Sequence, residues 1–201
     1  MSSSSFNFNA TNGKVTSPIK LAHIVLYTNQ LDKMEKFYVD FLGGHVAHKA
    51  PHQMSFITYD DEHHRIALIE APSLKRKDHH ACGLHHIAFT FPTPQALLLA
   101  YRQRLVQYSI KPWWCVNHGP TVSLYYQDPD GNSIETQVDC FENNEDATAF
   151  MEGEKFRINP IGVDFDPEDM IKKLEADANW DGWRKREDIG ERGIDSVLMP
   201  A

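Results

Sequence analysis

Apolar positions along this chain follow two periods, and the two periods recur twice in the same order. Residues 19–27 (IKLAHIVLY) form a strand-like apolar run, after which Asn29 stands where a helix cap is expected. Met34, Phe37, Tyr38, Phe41 and Leu42 then repeat at helical spacing, and Gly43-Gly44 stops the helix. Strand patterns follow at residues 45–49, 53–59 and 65–70, so the predicted order is β-α-β-β-β.

That order starts again after a polar, basic linker. Residues 84–91 (LHHIAFTF) read as a strand; Thr93 and Pro94 are the cap and first position of a helix through residue 106, with Leu97, Leu98, Tyr101 and Leu105 as its buried stripe. Strands are predicted at residues 112–116, 121–127 and 133–139, the last two joined by the tight turn Asp128-Pro129-Asp130-Gly131. Superposing the two runs aligns Leu21-Ala22-His23-Ile24 with Leu84-His85-His86-Ile87, an internal repeat that meets at a histidine. The chain therefore divides into a flexible lead (residues 1–17), a first βαβββ module (18–71), a linker (72–83), a second βαβββ module (84–140) and a polar extension with short helices (141–201). Within the extension a helix is predicted over residues 167–176, capped by Asp166; the extension wraps the modules or makes a subunit contact and carries no chemistry of its own. The fold class is α+β.

Composition narrows the functions. A 201-residue chain with 41% hydrophobic residues buries a real core. A net charge of −8, with basic residues scattered apart from Lys75-Arg76-Lys77, argues against nucleic acid or an anionic membrane as partner. Three cysteines, Cys82, Cys115 and Cys140, show no metal-binding spacing and fit free thiols in a reducing, cytoplasmic setting. The lead is rich in Ser and Asn, with no apolar run for a signal peptide or a membrane span.

Eleven histidines are too many for one site, so position decides among them. His23 and His86 are equivalent in the repeat and converge if the modules pair about a pseudo-two-fold axis. Glu135 lies on the last strand of the second module between Ile134 and Thr136; burying its carboxylate alone is costly, and a metal cation offsets the cost. A strand histidine taken singly is more often a packed residue than a ligand, but the coincidence of two with a carboxylate favours ligands. Two imidazoles and one carboxylate leave coordination positions open, as in Fe(II) enzymes that bind substrate and O2 together. Ala67, not Glu70, aligns with Glu135, and an odd shift inverts the side on which a strand residue points, so three protein ligands are expected.

His118, Leu124-Tyr125, Asp128-Pro129-Asp130-Gly131 and Glu135 stand at the spacings of a known signature, and the chain resembles the type I extradiol catechol dioxygenases of the vicinal oxygen chelate superfamily. His63-His64-Arg65-Ile66-Ala67 and Leu84-His85-His86-Ile87 are similar to two further segments of that family, so the resemblance covers residues 19–139. It implies an incomplete barrel of two βαβββ modules around Fe(II), with Mn(II) as a substitute, held by His23, His86 and Glu135. It further implies His64 as acid–base catalyst, His118 as partner of a substrate oxygen, and Tyr125 as the phenol that stabilises the deprotonated diol. The expected partners are a small aromatic diol and O2. Many family members carry an additional, inactive module pair that this chain lacks; its single pair and long tail favour a homodimer.

Neighbouring residues receive plainer readings: His63 and His85 face away from the site, His79-His80 are exposed loop residues, and Trp113-Trp114 either line an aromatic pocket or belong to the core. Two rivals stand beside the dioxygenase: a glyoxalase-like isomerase or lyase using Zn(II), Ni(II) or Mn(II) without O2, and a metal-free small-molecule-binding protein of the same superfamily.

Overall fold

The computed structural model describes residues 13–51, 53–75, 77–78, 81–177 and 179–197. Most of the lead and the His79-His80 pair lie outside the described residues.

Ten elements repeat one plan twice: β1 (Ile24–Thr28), α1 (Leu31–Leu42), β2 (His45–Ala50), β3 (Met54–Thr58) and β4 (Ile66–Glu70), then β5 (His86–Thr90), α2 (Pro94–Tyr108), β6 (Trp114–Asn117), β7 (Thr121–Gln127) and β8 (Ser133–Asp139). The tail adds α3 (Asn144–Glu152), α4 (Glu154–Ile158), β9 (Val163–Asp164) and α5 (Pro167–Ala176). They form a four-stranded sheet, β1-β4-β3-β2, and a five-stranded sheet, β5-β8-β7-β6-β9. The fold is α+β with two mixed sheets and no closed barrel.

The registers of the two sheets agree residue for residue. Val25 pairs with Ala67 across parallel β1 and β4, and Ala88 pairs with Glu135 across parallel β5 and β8. Val25 stands two residues after His23, and Ala88 two after His86, so Ala67 occupies in the first sheet the place of Glu135 in the second.

One apolar core joins both halves, because each sheet turns a β-branched face toward the helices. Ile57, Ile66 and Leu68 from the first sheet and Val122, Leu124, Tyr126 and Ile134 from the second pack with Met34, Tyr38 and Phe41 of α1 and Leu97, Leu98 and Tyr101 of α2. Each such side chain stabilises the fold by about 1.5–3 kcal/mol. Polar ties reinforce the seam: Gln30 Nε2 donates to Asp130 Oδ1 (2.6 Å), and the Tyr38 hydroxyl donates to Asp128 Oδ2 (3.0 Å).

The helix ends follow their sequences, with one correction. Thr93 Oγ1 accepts from Ala96 N at 3.1 Å and caps α2, with Pro94 at its first position. For α1 the cap residue is Gln30, not Asn29, whose amide instead donates to the Leu74 carbonyl at 2.9 Å. Gly43 ends α1 at φ 64°, a conformation that costs glycine little. On α2 the buried stripe includes Arg104, while Leu105 is half-buried. The Arg104 guanidinium lies 3.9 Å from the Phe41 ring centroid, and its Nε donates to the Phe41 carbonyl at 2.8 Å. Its long aliphatic stem and planar head make an arginine compatible with this aromatic seam.

In the tail, Asp166 caps α5 by accepting from Glu168 N at 2.8 Å, and Met170, Ile171 and Leu174 face the core. The predicted strands at residues 19–27 and 84–91 are shorter than the apolar runs; pairing begins at Ile24 and at His86, so His23 stands one residue ahead of its strand. Among the described residues no helix is long and apolar enough to cross a membrane. Cys82 is exposed, Cys115 half-buried and Cys140 buried, all as free thiols.

Candidate metal centre

Glu135 is a buried acidic residue on β8 of the second sheet. It pairs with Ala88 on β5 and with Tyr125 on β7, and only 4% of it is exposed. Its Oε2 stands 2.9 Å from His86 Nε2. Burial pushes the carboxyl up, but hydrogen bonds from His86 and Ser123 outweigh it and hold the group below the ordinary carboxylate range. Among the described residues, no lysine or arginine ion-pairs with it.

A carboxylate only accepts, so His86 Nε2 carries the proton in this contact. On its other side, His86 Nδ1 lies 2.7 Å from His85 Nδ1, a hydrogen bond between the two rings. The expectation that His85 faces away is corrected: it precedes the strand, where alternation does not apply, and it supports His86. Burial, then the neighbouring His86, lowers the His85 pKa below its ordinary value.

His23 lies at the seam between the sheets. It borders a cleft of about 90 Å³ together with Ile24, Ile66, Ile87 and Ala88, the last being the cross-strand neighbour of Glu135. Its ring is exposed and packs 4.3 Å from that of His64. One group of three metal-capable side chains among the described residues closes to within 4.8 Å: His23, His63 and His64. His23 does not form a comparably tight trio with His86 and Glu135. The structure thus brings together His86 with Glu135, and His23 with His64, as two neighbouring sets.

His63 is exposed, as a solvated residue would be, but it does not stand apart from His64. Residues 59–65 form the turn between β3 and β4, held by Arg65 Nε on Asp60 Oδ2 at 3.0 Å, and a turn carries no strand alternation. The His63 ring therefore sits 4.3 Å from that of His64, with its Nδ1 3.0 Å from Glu62 Oε1. His64 is buried against Phe56, their ring centroids 5.1 Å apart. Its burial, then the charges of His23 and His63, depress its pKa, so the ring is neutral and able to take a proton.

His118 and Tyr125 form a third set. His118 Nε2 lies 2.9 Å from the Tyr125 hydroxyl, while Nδ1 meets the carbonyl of Ile161. Burial lowers the His118 pKa. Tyr125 is held well above the usual phenol range by burial and then by the Glu135 charge. Trp114 stacks on Tyr125 at 4.9 Å, and Trp113 lies 5.7 Å from it. Trp114 thus belongs to a core cluster, with Trp113 packed against it, and both flank the phenol of Tyr125.

Of the three expected ligands, His86 and Glu135 stand as a divalent ion would need them. Two ligands bonded at about 2.1 Å and about a right angle apart stand about 3 Å from each other, the spacing that His86 and Glu135 already keep. Among the described residues no arginine or lysine pairs with this buried carboxylate, which leaves its charge open to a cation. Sequence reasoning missed His63, His85, the Ile161 carbonyl and Asp164, which accepts from Trp114 Nε1 at 2.8 Å. The histidine pairs offered a signal in their adjacency; a backbone carbonyl offers none.

Comparison with known proteins identifies the family. Residues 20–136 match the family described as "Glyoxalase/Bleomycin resistance protein/Dioxygenase superfamily". Biphenyl-2,3-diol 1,2-dioxygenase 2 of Rhodococcus globerulus is 45% identical over 81% of this chain and 85% of its own length. Biphenyl-2,3-diol 1,2-dioxygenase 3 of the same organism is 47% identical over 78% and 83%. Among solved structures, a glyoxylase/bleomycin resistance protein/dioxygenase domain from Frankia sp. EAN1pec shares the fold, with a TM-score of 0.51 at 19% identity, over 61% of this chain and 99% of that one. By the residues matched and by these relatives, the chain belongs to the Glyoxalase/Bleomycin resistance protein/Dioxygenase superfamily.

Proposed function

We propose that this chain is an extradiol ring-cleaving dioxygenase acting on an aromatic vicinal diol with O2, with Fe(II) held by His23, His86 and Glu135. The observation that carries the reading is the buried Glu135 carboxylate, touched by His86 and faced across the ladder by Tyr125. The two Rhodococcus relatives, named for a dioxygenase of a biphenyl diol, support the reaction class.

When bound, the metal supplies a Lewis acid for the diol oxygens and a route for electrons to O2. The residues of the chain divide the remaining work. A diol chelates well only after losing a proton, and His64, neutral and at the rim beside His23, takes it from the hydroxyl and returns it to the product. Tyr125 and His118, joined at 2.9 Å, meet the second diol oxygen with a hydrogen bond. Trp113 and Trp114 present aromatic faces beside the phenol and exclude water from one side of the ring. Mn(II) suits the same nitrogen and oxygen donors, and two copies of the chain form the working unit in this reading.

The test is anaerobic loading with Fe(II), followed by a panel of monocyclic, biphenyl and fused-ring diols read by an oxygen electrode and near-ultraviolet absorbance. Stoichiometric O2 uptake with a yellow ring-opened product is expected. Metal-loaded protein that consumes no O2 with any diol overturns the proposal, and turnover of a hemithioacetal instead identifies the isomerase.

A further inference from the structure

The C-terminal extension reaches the candidate site through its backbone. Residues 159–162 form a tight turn built around Asn159, which is 4% exposed. Asn159 Oδ1 accepts from Ile161 N (3.1 Å) and Gly162 N (2.7 Å), and Asn159 Nδ2 donates to the Gly162 carbonyl (3.1 Å). Gly162 has φ +113°, and a Cβ there would lie 2.2 Å from the Asn117 carbonyl, so the turn fits against β6 only with glycine. Arg186 fastens the turn to its target: Nη1 donates at 2.8 Å to both the His118 and the Asn159 carbonyls, and Nη2 donates at 3.0 Å to the Lys155 carbonyl.

The product of this construction is one carbonyl, that of Ile161, aimed at His118 Nδ1. A carbonyl only accepts, so Nδ1 carries the hydrogen. In the neutral ring Nε2 is then a lone pair, and the hydroxyl 2.9 Å away must donate to it. Tyr125 thereby commits its proton to His118, in competition with its cross-strand partner Glu135, whose carboxylate can only accept.

We propose that the turn at residues 159–162 is a positioning element for the His118–Tyr125 pair, with Asn159 and Arg186 as positioning residues that fix the His118 tautomer and hence the direction of the Tyr125 hydrogen bond. The inference deepens the functional reading, since it takes these two side chains to handle the diol. It makes the extension part of the site, not only a wrap around it.

A long-range proton–nitrogen NMR spectrum of the metal-free full chain, with the His118 signals assigned by their loss in His118→Gln, tests the tautomer without any turnover. Nδ1-protonated His118 is expected in the unmodified protein, with a mixture of tautomers in Asn159→Ala and Arg186→Gln. On the best diol both variants should lose about 10-fold or more in kcat with KM changed less than about 3-fold, and Arg186→Lys should recover part of the loss. Arg157→Ala, an exposed change in the same extension, should leave both parameters alone. His118 protonated on Nε2 in the unmodified protein, or an Nδ1 tautomer that survives both substitutions, overturns the proposal. If Asn159→Ala does not fold, Arg186→Gln decides it. A protein that cleaves no diol yet shifts its tautomer as described retains the positioning and loses the functional reading.

Discussion

His86 Nε2 and Glu135 Oε2 stand 2.9 Å apart across the parallel strands β5 and β8, an imidazole and a buried carboxylate already at the spacing of adjacent metal ligands. Their closeness ties metal affinity to fold stability. The carboxylate is held in the metal-free protein by hydrogen bonds from His86 and Ser123 that outweigh the cost of its burial.

Glu135→Gln should bind Fe(II) at least about 100-fold more weakly, and its metal-free melting temperature should also fall, because the neutral amide loses the charge-assisted bonds from His86 and Ser123. Metal analysis and a thermal melt check both. A variant that retains stoichiometric iron shows that Glu135 is not a ligand.

His64 is buried, neutral and beside His23, without sharing the His86–Glu135 contact. His64→Phe should keep the metal and lower turnover of the best diol by about 100- to 10,000-fold, the range for loss of an acid–base group. Steady-state rates alongside metal content measure this, and near-normal turnover would assign the proton transfer elsewhere.

Burial depresses the His118 pKa below its ordinary 6.5, so the unfolded chain binds a proton there more readily than the folded one. The stability this provides is complete above the ordinary value and is lost as pH falls through the folded value, at about 1.4 kcal/mol per pH unit of depression. Melting temperature should fall on acidification from about pH 7.5 to about 5, and the fall should be shallower in His118→Gln. Equal slopes would mean that His118 does not resist protonation.

Asp128 organises the turn before β8 by accepting from Asp130 N (2.9 Å), Asn132 N (2.8 Å), Asn132 Nδ2 (2.8 Å) and the Tyr38 hydroxyl (3.0 Å). Tyr38→Phe removes one of these bonds and should cost about 1.5 kcal/mol, whereas Asp128→Ala strands several donors and should cost about 3 kcal/mol or more. Urea denaturation ranks them, and a Tyr38→Phe cost exceeding that of Asp128→Ala would contradict the assignment.

Much of this arrangement was readable before any coordinates. Strands β7 and β8 and helix α5 begin and end where alternation, the Asp128–Gly131 turn and the Asp166-Pro167 start place them, because strong local signals agree there with burial. The repeat also located Ala67 opposite Glu135, which the sheet registers reproduce. What escaped was set by tertiary contact. Helices α3 and α4 bury none of their residues, so no apolar stripe announces them. His63 joins His23 and His64 at the surface because its segment is a hydrogen-bonded turn, and Arg104 is buried because aromatic rings from both halves enclose it. The Ile161 carbonyl has no side-chain identity to betray its aim.

Ala67 gives the duplication its lopsidedness. Duplicating one unit yields matched halves, yet here a methyl group with 2% exposure stands at the register position that a carboxylate holds in the other half, and the difference rests on one codon. Identical scaffolding can therefore acquire or lose an acidic donor without rebuilding a strand, a cheap route for such a frame to change its chemistry while its architecture persists.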